Sequence, residues 1–582
     1  MKQAHPHITK ACALLVGDTL CCYYVATAPI SSGALEAISS KTLPYYATPS
    51  KWIWLPDFPL TPNGKIDKKK LRTIPGAPCS GEISPLRLPT RLSPLNLRSL
   101  SSKEDMIEKT LVKDSITIET RLVRESQEPN DIKETVLPPE KGAHSHMWLR
   151  YYFFTMYRRL FSIVFIGNLV TILTIFAYRR TLDNLQLSDL ATATASNITV
   201  ALLMRQEYVI NFLFNMACAV PTWMPLFIRR NCAKVFHIGG VHSSAGVAAV
   251  FWFAILTVAA TMGLAAPRKT SLGKTNLAIV LIVYIILVLC ISMVATAYPS
   301  FRAKRHDIFE RTHRFAGWTI LILFWILTLL SADPAHGHVS LAKALSRDPI
   351  LYLLIISTVS VILPWLRLRK VPVRSEVLSS HAIRLHFGYT NTYPGTAVRI
   401  SERPLVEWHA FATVAKPDAD GFSIVVSNAG DWTKRQIGRA PERIWVRGIP
   451  ACGVLRTVPL FRRIVLVATG SGIGPCLPVL LAKKVPMRVF WSTPKPEETF
   501  GEEIVASVKG ADSDAVIWDT RKQGKPDMVK EAWKLVVESG MTSNGKYQVE
   551  AVCVIANKKV TEMVVRGMEV RGLAAYGAIF DS

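Results

Sequence analysis

From Met1 to about residue 76 short apolar runs alternate with turns, as in "ACALLVG", "TLCCYYVA" and "SKWIWLPDFPL". Apolar runs of this length, bounded by Gly, Pro and Asp, predict a small α+β piece. Residues 77–145 lose the pattern. They are rich in Ser, Pro, Leu and charge ("SPLRLPTRLSPLNLRSLSS"), and apolar groups recur at neither period. Such a stretch cannot offset the entropy of ordering and predicts a disordered linker. Within 146–373 come six apolar runs, roughly 153–177, 199–228, 241–264, 277–298, 314–331 and 349–366. Each is near the ~20 residues that cross a bilayer as helix. The second is interrupted by Arg205, Glu207, Asn211 and Pro221, which allows two segments. Over 374–459 short strands return ("SHAIRLHFGY", "TAVRISE", "WHAFATV", "FSIVVSNA", "RIWVRGI"), which predicts an antiparallel barrel or sandwich. Across 460–582 strands alternate with helices, the pattern of a parallel βαβ sheet. The expected fold is a multi-domain membrane protein: the small α+β piece, a helical bundle, a β-barrel domain and an α/β nucleotide domain.

Composition agrees with apolar spans. Of the 582 residues 49% are hydrophobic and 19% charged, and the mean hydropathy is +0.24. The net charge of +26 is that of a strongly basic chain, but its arginines crowd the ends of the apolar runs. No basic stripe interleaved with aromatics stands elsewhere, so the expected partner is the lipid bilayer and not nucleic acid. Arg229, Arg230 and Lys234 follow the second run, Arg302, Lys304 and Arg305 the fourth, and Arg367, Arg369 and Lys370 the sixth. That bias puts both termini of an integral, multi-pass protein in the cytosol. The 10 cysteines form no CxxC pair, which argues against a disulfide framework or zinc site. The N-terminus has no apolar h-region, so no cleaved signal peptide is expected.

The strongest chemical signal is "RRIVLVATGSGIGPCLPVLLAKK". Ile464 to Ala468 read as a buried strand, Gly470, Gly472 and Gly474 as a tight turn, and Pro475 onward as a helix. Glycines let backbone amides approach a pyrophosphate, and a helix N-terminus favours its charge. The blander reading is a glycine turn in an ordinary βα unit.

This GxGxGP form resembles the NAD(P)-binding module of the ferredoxin reductase superfamily, and the β-rich region before it resembles that superfamily's flavin domain. "EWHAFATV" looks like a variant of the HPFT flavin motif of ferric reductases and NADPH oxidases. His409 and Phe411 match it, Ala410 replaces the proline, and Thr413 stands one step late. The resemblance implies FAD. It also implies that Thr433 or Lys434 of "SNAGDWTKRQIG" meets flavin phosphates, and that a late aromatic, Tyr576 or Phe580, covers the flavin ring where nicotinamide docks. Arg521 of "DTRKQGKPD" is placed for a 2′-phosphate, favouring NADPH, or is a solvated turn arginine. The family's late Cys-Gly pair is replaced by Ala556-Asn557. With apolar spans ahead of the flavin region, residues 150–582 resemble fungal TmpA-type membrane flavoproteins.

Ferric reductases and NADPH oxidases hold two haems between histidine pairs about thirteen residues apart on two helices. His313 in "DIFERTHRFAGW" and His242 stand where such pairs begin, but Ile326 and Ile255 occupy the second positions. The ladder is absent, and His242 with His313 is the one pair left for a single haem.

Near the N-terminus "LPYYATPSKWIWLPDFPLTPNGKIDKKKL" resembles the C-terminal subdomain of adenylate-forming enzymes, as in peptide synthetases. Lys65 matches the catalytic lysine, whose ammonium bridges a carboxylate and the α-phosphate. No Ser/Thr/Gly-rich phosphate loop precedes it in this sequence, so complete ligase activity is not expected and a longer fused or trimmed parent is implied. The expected function is a membrane oxidoreductase passing a hydride from NAD(P)H to FAD and electrons to an unknown acceptor or protein partner. Two alternatives stand beside it: a weakly catalytic signalling flavoprotein, and a fragment of an adenylating, peptide-synthetase-like fusion.

Overall fold

The computed structural model describes residues 8–16, 19–35, 49, 51–60, 66–67, 70–71, 74, 137–140, 149, 154–179, 187–265, 277–331, 340–415 and 420–578. The chain divides into two compact units, Met1–Pro129 and Asn130–Ser582.

In the first unit β1 (Ile8–Val16), β2 (Thr19–Ala26) and β3 (Lys51–Leu55) form a sheet in that order. β1 and β2 pair antiparallel, and β2 and β3 pair parallel. Side chains alternate across a strand. Cys21, Tyr23 and Val25 accordingly share one core with Leu14, Phe58 and Leu71. Tyr24 and Ala26 join Ile8 and Leu35 on the other side. Leu60 and Ile66 form an isolated bridge, and Asp67 N donates to Pro59 O at 2.7 Å. Lys65 lies outside the described residues.

The second unit opens with helices α1 (Met156–Arg179), α2 (Leu187–Leu203), α3 (Glu207–Cys218), α4 (Leu226–Cys232), α5 (Gly239–Ala265), α6 (Leu277–Ala297), α7 (His306–Ser331) and α8 (Pro349–Ile362). Among the described residues, five helices are long and apolar enough to cross a membrane, or six if the bent pair α2–α3 counts as one span. That pair corrects the second predicted run. The helix begins at Leu187 rather than near 199, stops at Leu203, and turns by 69° before Glu207. Gln206 caps the new helix, its Oε1 accepting from Tyr208 N at 2.6 Å. One polar cluster inside the bundle is satisfied by side chains from three helices. Asn197 and Trp252 both donate to Asn168 Oδ1 at 2.8 Å, which satisfies groups that would otherwise be costly to bury.

No closed barrel forms among the described residues. The strands β4 (Arg369–Pro372), β10 (Arg443–Cys452), β7 (Thr396–Ser401) and β8 (His409–Ala412) make one antiparallel sheet in that order. β5 (Arg374–Val377), β6 (Ala382–Phe387) and β9 (Phe422–Ser427) make another. Their inner faces share a core that includes Ile383, Leu385, Ile400, Ile424 and Val446. β8 is only four residues long, and its side reaches β9 through an isolated bridge between Val414 and Ser423. Closure needs complementary edges of matched length, which this pairing lacks. Helix α9 (Asp431–Arg439) packs on β9.

The last part is a five-stranded parallel sheet, with strand order β13 (Val516–Asp519), β12 (Met487–Thr493), β11 (Ile464–Thr469), β14 (Ala551–Ile555), β15 (Ala574–Gly577). Strands covered on both faces read as continuous apolar runs. Ile464, Leu466 and Ala468 face the core that takes in α10 (Ile473–Ala482) and α11 (Glu502–Ala511), while Val465 and Val467 face α12 (Met528–Glu538) and α13 (Lys558–Glu569). Each such fully buried aliphatic side chain contributes about 1.5–3 kcal/mol.

Side chains from the helices anchor these sheets. Asn211 of α3 donates to Pro450 O and accepts from Cys452 N, at 2.9 and 2.8 Å. Arg229 of α4 donates to both carboxylate oxygens of Glu550, at 2.6 and 2.9 Å, just before β14.

Candidate functional site

The strand order reverses at β11. From there the chain runs outward to β12 and β13, then returns to the other side as β14 and β15. A crevice at the carboxyl ends of the strands opens at such a switch point. The glycine loop lies there, between the end of β11 at Thr469 and the start of α10 at Ile473.

Each glycine in the loop meets a different demand. Gly470 has φ +51°, the left-handed region where a side chain is strained, although a Cβ there would meet no atom within 4 Å. Gly472 lies against the end of β14, where a Cβ would collide with the carbonyl oxygen of Ile555. Gly474 lies in the first turn of α10, where a Cβ would just touch Val425 at 3.4 Å. Pro475 follows in the same turn, where its missing N–H costs nothing. The loop therefore brings backbone amides and a helix N-terminus to one edge of the sheet, an arrangement suited to a phosphate.

At the same edge, beyond β12 and β13, a cavity of about 520 Å³ is lined by Lys495, Lys509, Arg521 and Lys522 together with Glu497, Glu498 and Asp519. Asp519 ties its two basic turns together, its Oδ1 accepting from Lys495 N at 3.0 Å and Arg521 N at 2.9 Å. Those backbone hydrogen bonds hold the Asp519 carboxyl below the usual range. The carboxylate is thus committed to the turns, and the Arg521 side chain stands exposed at the cavity wall.

Most of the described residues expected around a flavin are engaged by the protein itself. Trp432 stacks on His409, ring centroids 4.0 Å apart, and on Phe411 at 5.9 Å. Burial pushes the His409 imidazole below its ordinary pKa, against the opposing pull of Glu407. Thr413 is fully buried, its hydroxyl 2.8 Å from that of Thr396. The Thr433 hydroxyl accepts from Ala429 N and Gly430 N and so caps α9, and Lys434 is exposed. Tyr576 is buried and donates to Arg230 O at 3.1 Å, a packing role. Phe580 lies outside the described residues.

His242 and His313 come together with ring centroids 6.3 Å apart, and His242 Nδ1 lies 2.8 Å from Ala201 O. Among the described residues no group of three or more metal-ligating side chains assembles.

Several contacts were not legible beforehand: the Trp432 stack, the Asp519 tie, the Arg229–Glu550 clamp, and a hydrogen bond from Trp491 Nε1 to Gly470 O at 3.0 Å. An acidic residue ending a strand just before "TRKQG" was the one available signal, for Asp519. The others depend on side chains meeting across elements, which no local pattern records.

Residues 454–582 match the family model "Adenylate-forming reductase 03009, C-terminal domain". Over 603 residues the chain is 40% identical to the adenylate-forming reductase 03009 of Coprinopsis cinerea, an alignment covering 99% of this chain and 57% of that protein. The chain thus spans little more than half the length of this curated relative. A shorter similarity, 38% identity over 73 residues, joins 12% of the chain to 7% of the tyrocidine synthase 1 of Brevibacillus parabrevis. Among solved structures, a ferredoxin NADP+ reductase from Neisseria gonorrhoeae with bound FAD and NADP aligns at 14% identity. It covers 37% of this chain and 99% of that one with a TM-score of 0.29, too low to decide fold or ligand.

The full-length similarity corrects the sequence reading. It runs to a protein named for adenylate formation and reduction, not to a TmpA-type ferric reductase carrying a remnant. FAD is withdrawn as the cofactor, and the rings meant to hold it are stacked on Trp432. The single haem left open for His242 and His313 is withdrawn with it, since the similarity runs to an adenylate-forming reductase and not to a ferric reductase. The integral-membrane placement with cytosolic termini is also withdrawn. Long apolar runs fix that helices form, and they do not by themselves fix what surrounds those helices.

Proposed function

We propose that this chain is the reducing portion of a longer adenylate-forming reductase, binding NADPH across residues 464–577 and delivering its hydride to an acyl group made reactive by adenylation. The observation that carries this reading is the 470–474 loop at the switch point, where Gly472 fits only because it has no side chain. The loop amides and the start of α10 would take the pyrophosphate. The cavity beyond β13 supports NADPH over NADH, because the exposed Arg521, Lys522 and Lys509 offer positive charge where a 2′-phosphate would lie, whereas Lys495 is held by Glu498 at 2.7 Å. The similarity to the Coprinopsis reductase supports the pairing of the two chemistries.

Joining a carboxylate to AMP removes its negative charge and creates a good leaving group. Both changes make the carbonyl carbon open to hydride attack. NADPH supplies the hydride, which forms the new C–H bond. The leaving group departs with its electron pair and takes up a proton from solvent, giving an aldehyde and NADP+. Lys65 would act earlier, its ammonium meeting the carboxylate and the α-phosphate as charge builds up between them.

The test is titration of the full chain with NADPH and NADH, followed by incubation with deuterated NADPH and a panel of acyl adenylates and thioesters. NADPH should bind more tightly than NADH, and deuterium should appear in aldehyde. Arg521→Ala should weaken NADPH about tenfold and leave NADH unchanged, the effect of losing one charge-assisted contact. Failure of the wild-type chain to bind NADPH would overturn the reading.

A further inference from the structure

We propose that Trp491 is a positioning residue for the nucleotide: its indole pins the Gly470 carbonyl and so turns the adjoining amide toward the phosphates. The proposal rests on reading residues 464–577 as an NADPH site. Trp491 lies in β12 opposite Ala468 of β11 and is fully buried. Its Nε1 donates to Gly470 O at 3.0 Å, and Ile473 N donates to the same oxygen. Phe500, itself buried, braces the indole edge-on with ring centroids 5.4 Å apart. The indole therefore cannot swing away from the loop without opening the core.

The direction of one peptide unit follows. In a trans peptide the C=O and N–H point opposite ways. Holding the Gly470 carbonyl down on Trp491 turns the Ser471 N–H away from the core. A flipped peptide would instead present the carbonyl oxygen, whose partial negative charge repels a phosphate. Ile473 N holds the Gly470 carbonyl from within the loop, and the indole N–H holds it from outside, on the side of the core. The indole contact makes no use of the cavity beyond β13, which separates the two ends of the ligand experimentally.

The test compares full-length wild type, Trp491→Phe and Phe500→Leu by calorimetric titration with NADPH and with 2′-AMP, which carries the 2′-phosphate but no pyrophosphate. Phenylalanine keeps a ring against Phe500 and loses the donor. The expected result for Trp491→Phe is NADPH affinity weakened about three- to tenfold, the loss of one hydrogen bond, with 2′-AMP affinity unchanged. Phe500→Leu, which keeps the donor, should leave the ratio of the two affinities as in wild type. Unchanged NADPH binding in Trp491→Phe overturns this inference alone. Equal loss of both ligands, or the same selective loss in Phe500→Leu, makes Trp491 a packing residue and overturns it too. Wild type that binds 2′-AMP and not NADPH overturns the underlying reading as well.

Discussion

Gly472 shows how a single hydrogen in place of a side chain can shape a site. Its α-carbon faces the Ile555 carbonyl so closely that any Cβ must displace backbone. Gly472→Ala should therefore lower NADPH affinity more than tenfold and cost about 1–3 kcal/mol of stability, as overpacking does. Gly510, exposed near the end of α11 with no atom within 4 Å of a Cβ, is the control. Gly510→Ala should be neutral or stabilise by about 0.5–1 kcal/mol, and denaturant titration of both variants checks the pair. The glycine spacing could be read directly from the chain because a strand–loop–helix turn is local. The environment of His409 could not. Whether a strand histidine faces a ligand or an indole depends on Trp432, which arrives from a later helix. A motif match carries no record of such a contact.

At the scale of elements, the clamp between α4 and β14 makes a pH-dependent contribution. Burial alone would raise the Glu550 carboxyl, but the hydrogen bond from Arg229, the amide of Arg462 and both positive charges outweigh it and leave its pKa below the ordinary value. A carboxyl with a lowered folded pKa stabilises fully above its unfolded pKa of ~4.3, and that contribution is lost as pH falls through the folded value. Wild type should thus lose stability below about pH 4.3 more steeply than Glu550→Gln, which should itself be about 3 kcal/mol less stable at neutral pH. Chemical unfolding of both proteins at stepped pH measures each claim. Elements were legible where their period was local. The strand segments from "HAIRLHF" to "RIWVRG" form strands because alternation is written into consecutive residues. Barrel closure was not legible, since it depends on which edges meet. The onset of α2 was also hidden, because "LSDLATATASN" is helical without being strongly apolar.

For the molecule as a whole, the division at Pro129 predicts separate melting. Scanning calorimetry of the full chain should show one transition for Met1–Pro129 and another for Asn130–Ser582. NADPH at a hundred times its Kd should add about 2.7 kcal/mol to the second alone. A single transition that shifts entirely with NADPH would show that the units unfold together. The apolar runs made the helices legible, whereas the likeness to an adenylate-forming reductase came from similarity along nearly the whole chain.

The position of β14 beside β11 also sets an order of events during synthesis. β11 can pair with β12 soon after both leave the ribosome, but its other edge must wait for Ala551–Ile555. Until then an apolar strand edge stays unsatisfied, open to pairing with another nascent chain. The wall that Gly472 rests against is the same late strand. The setting of the glycine loop is therefore among the last features this chain completes, and a ribosome halted before residue 551 would display that loop with nothing behind it.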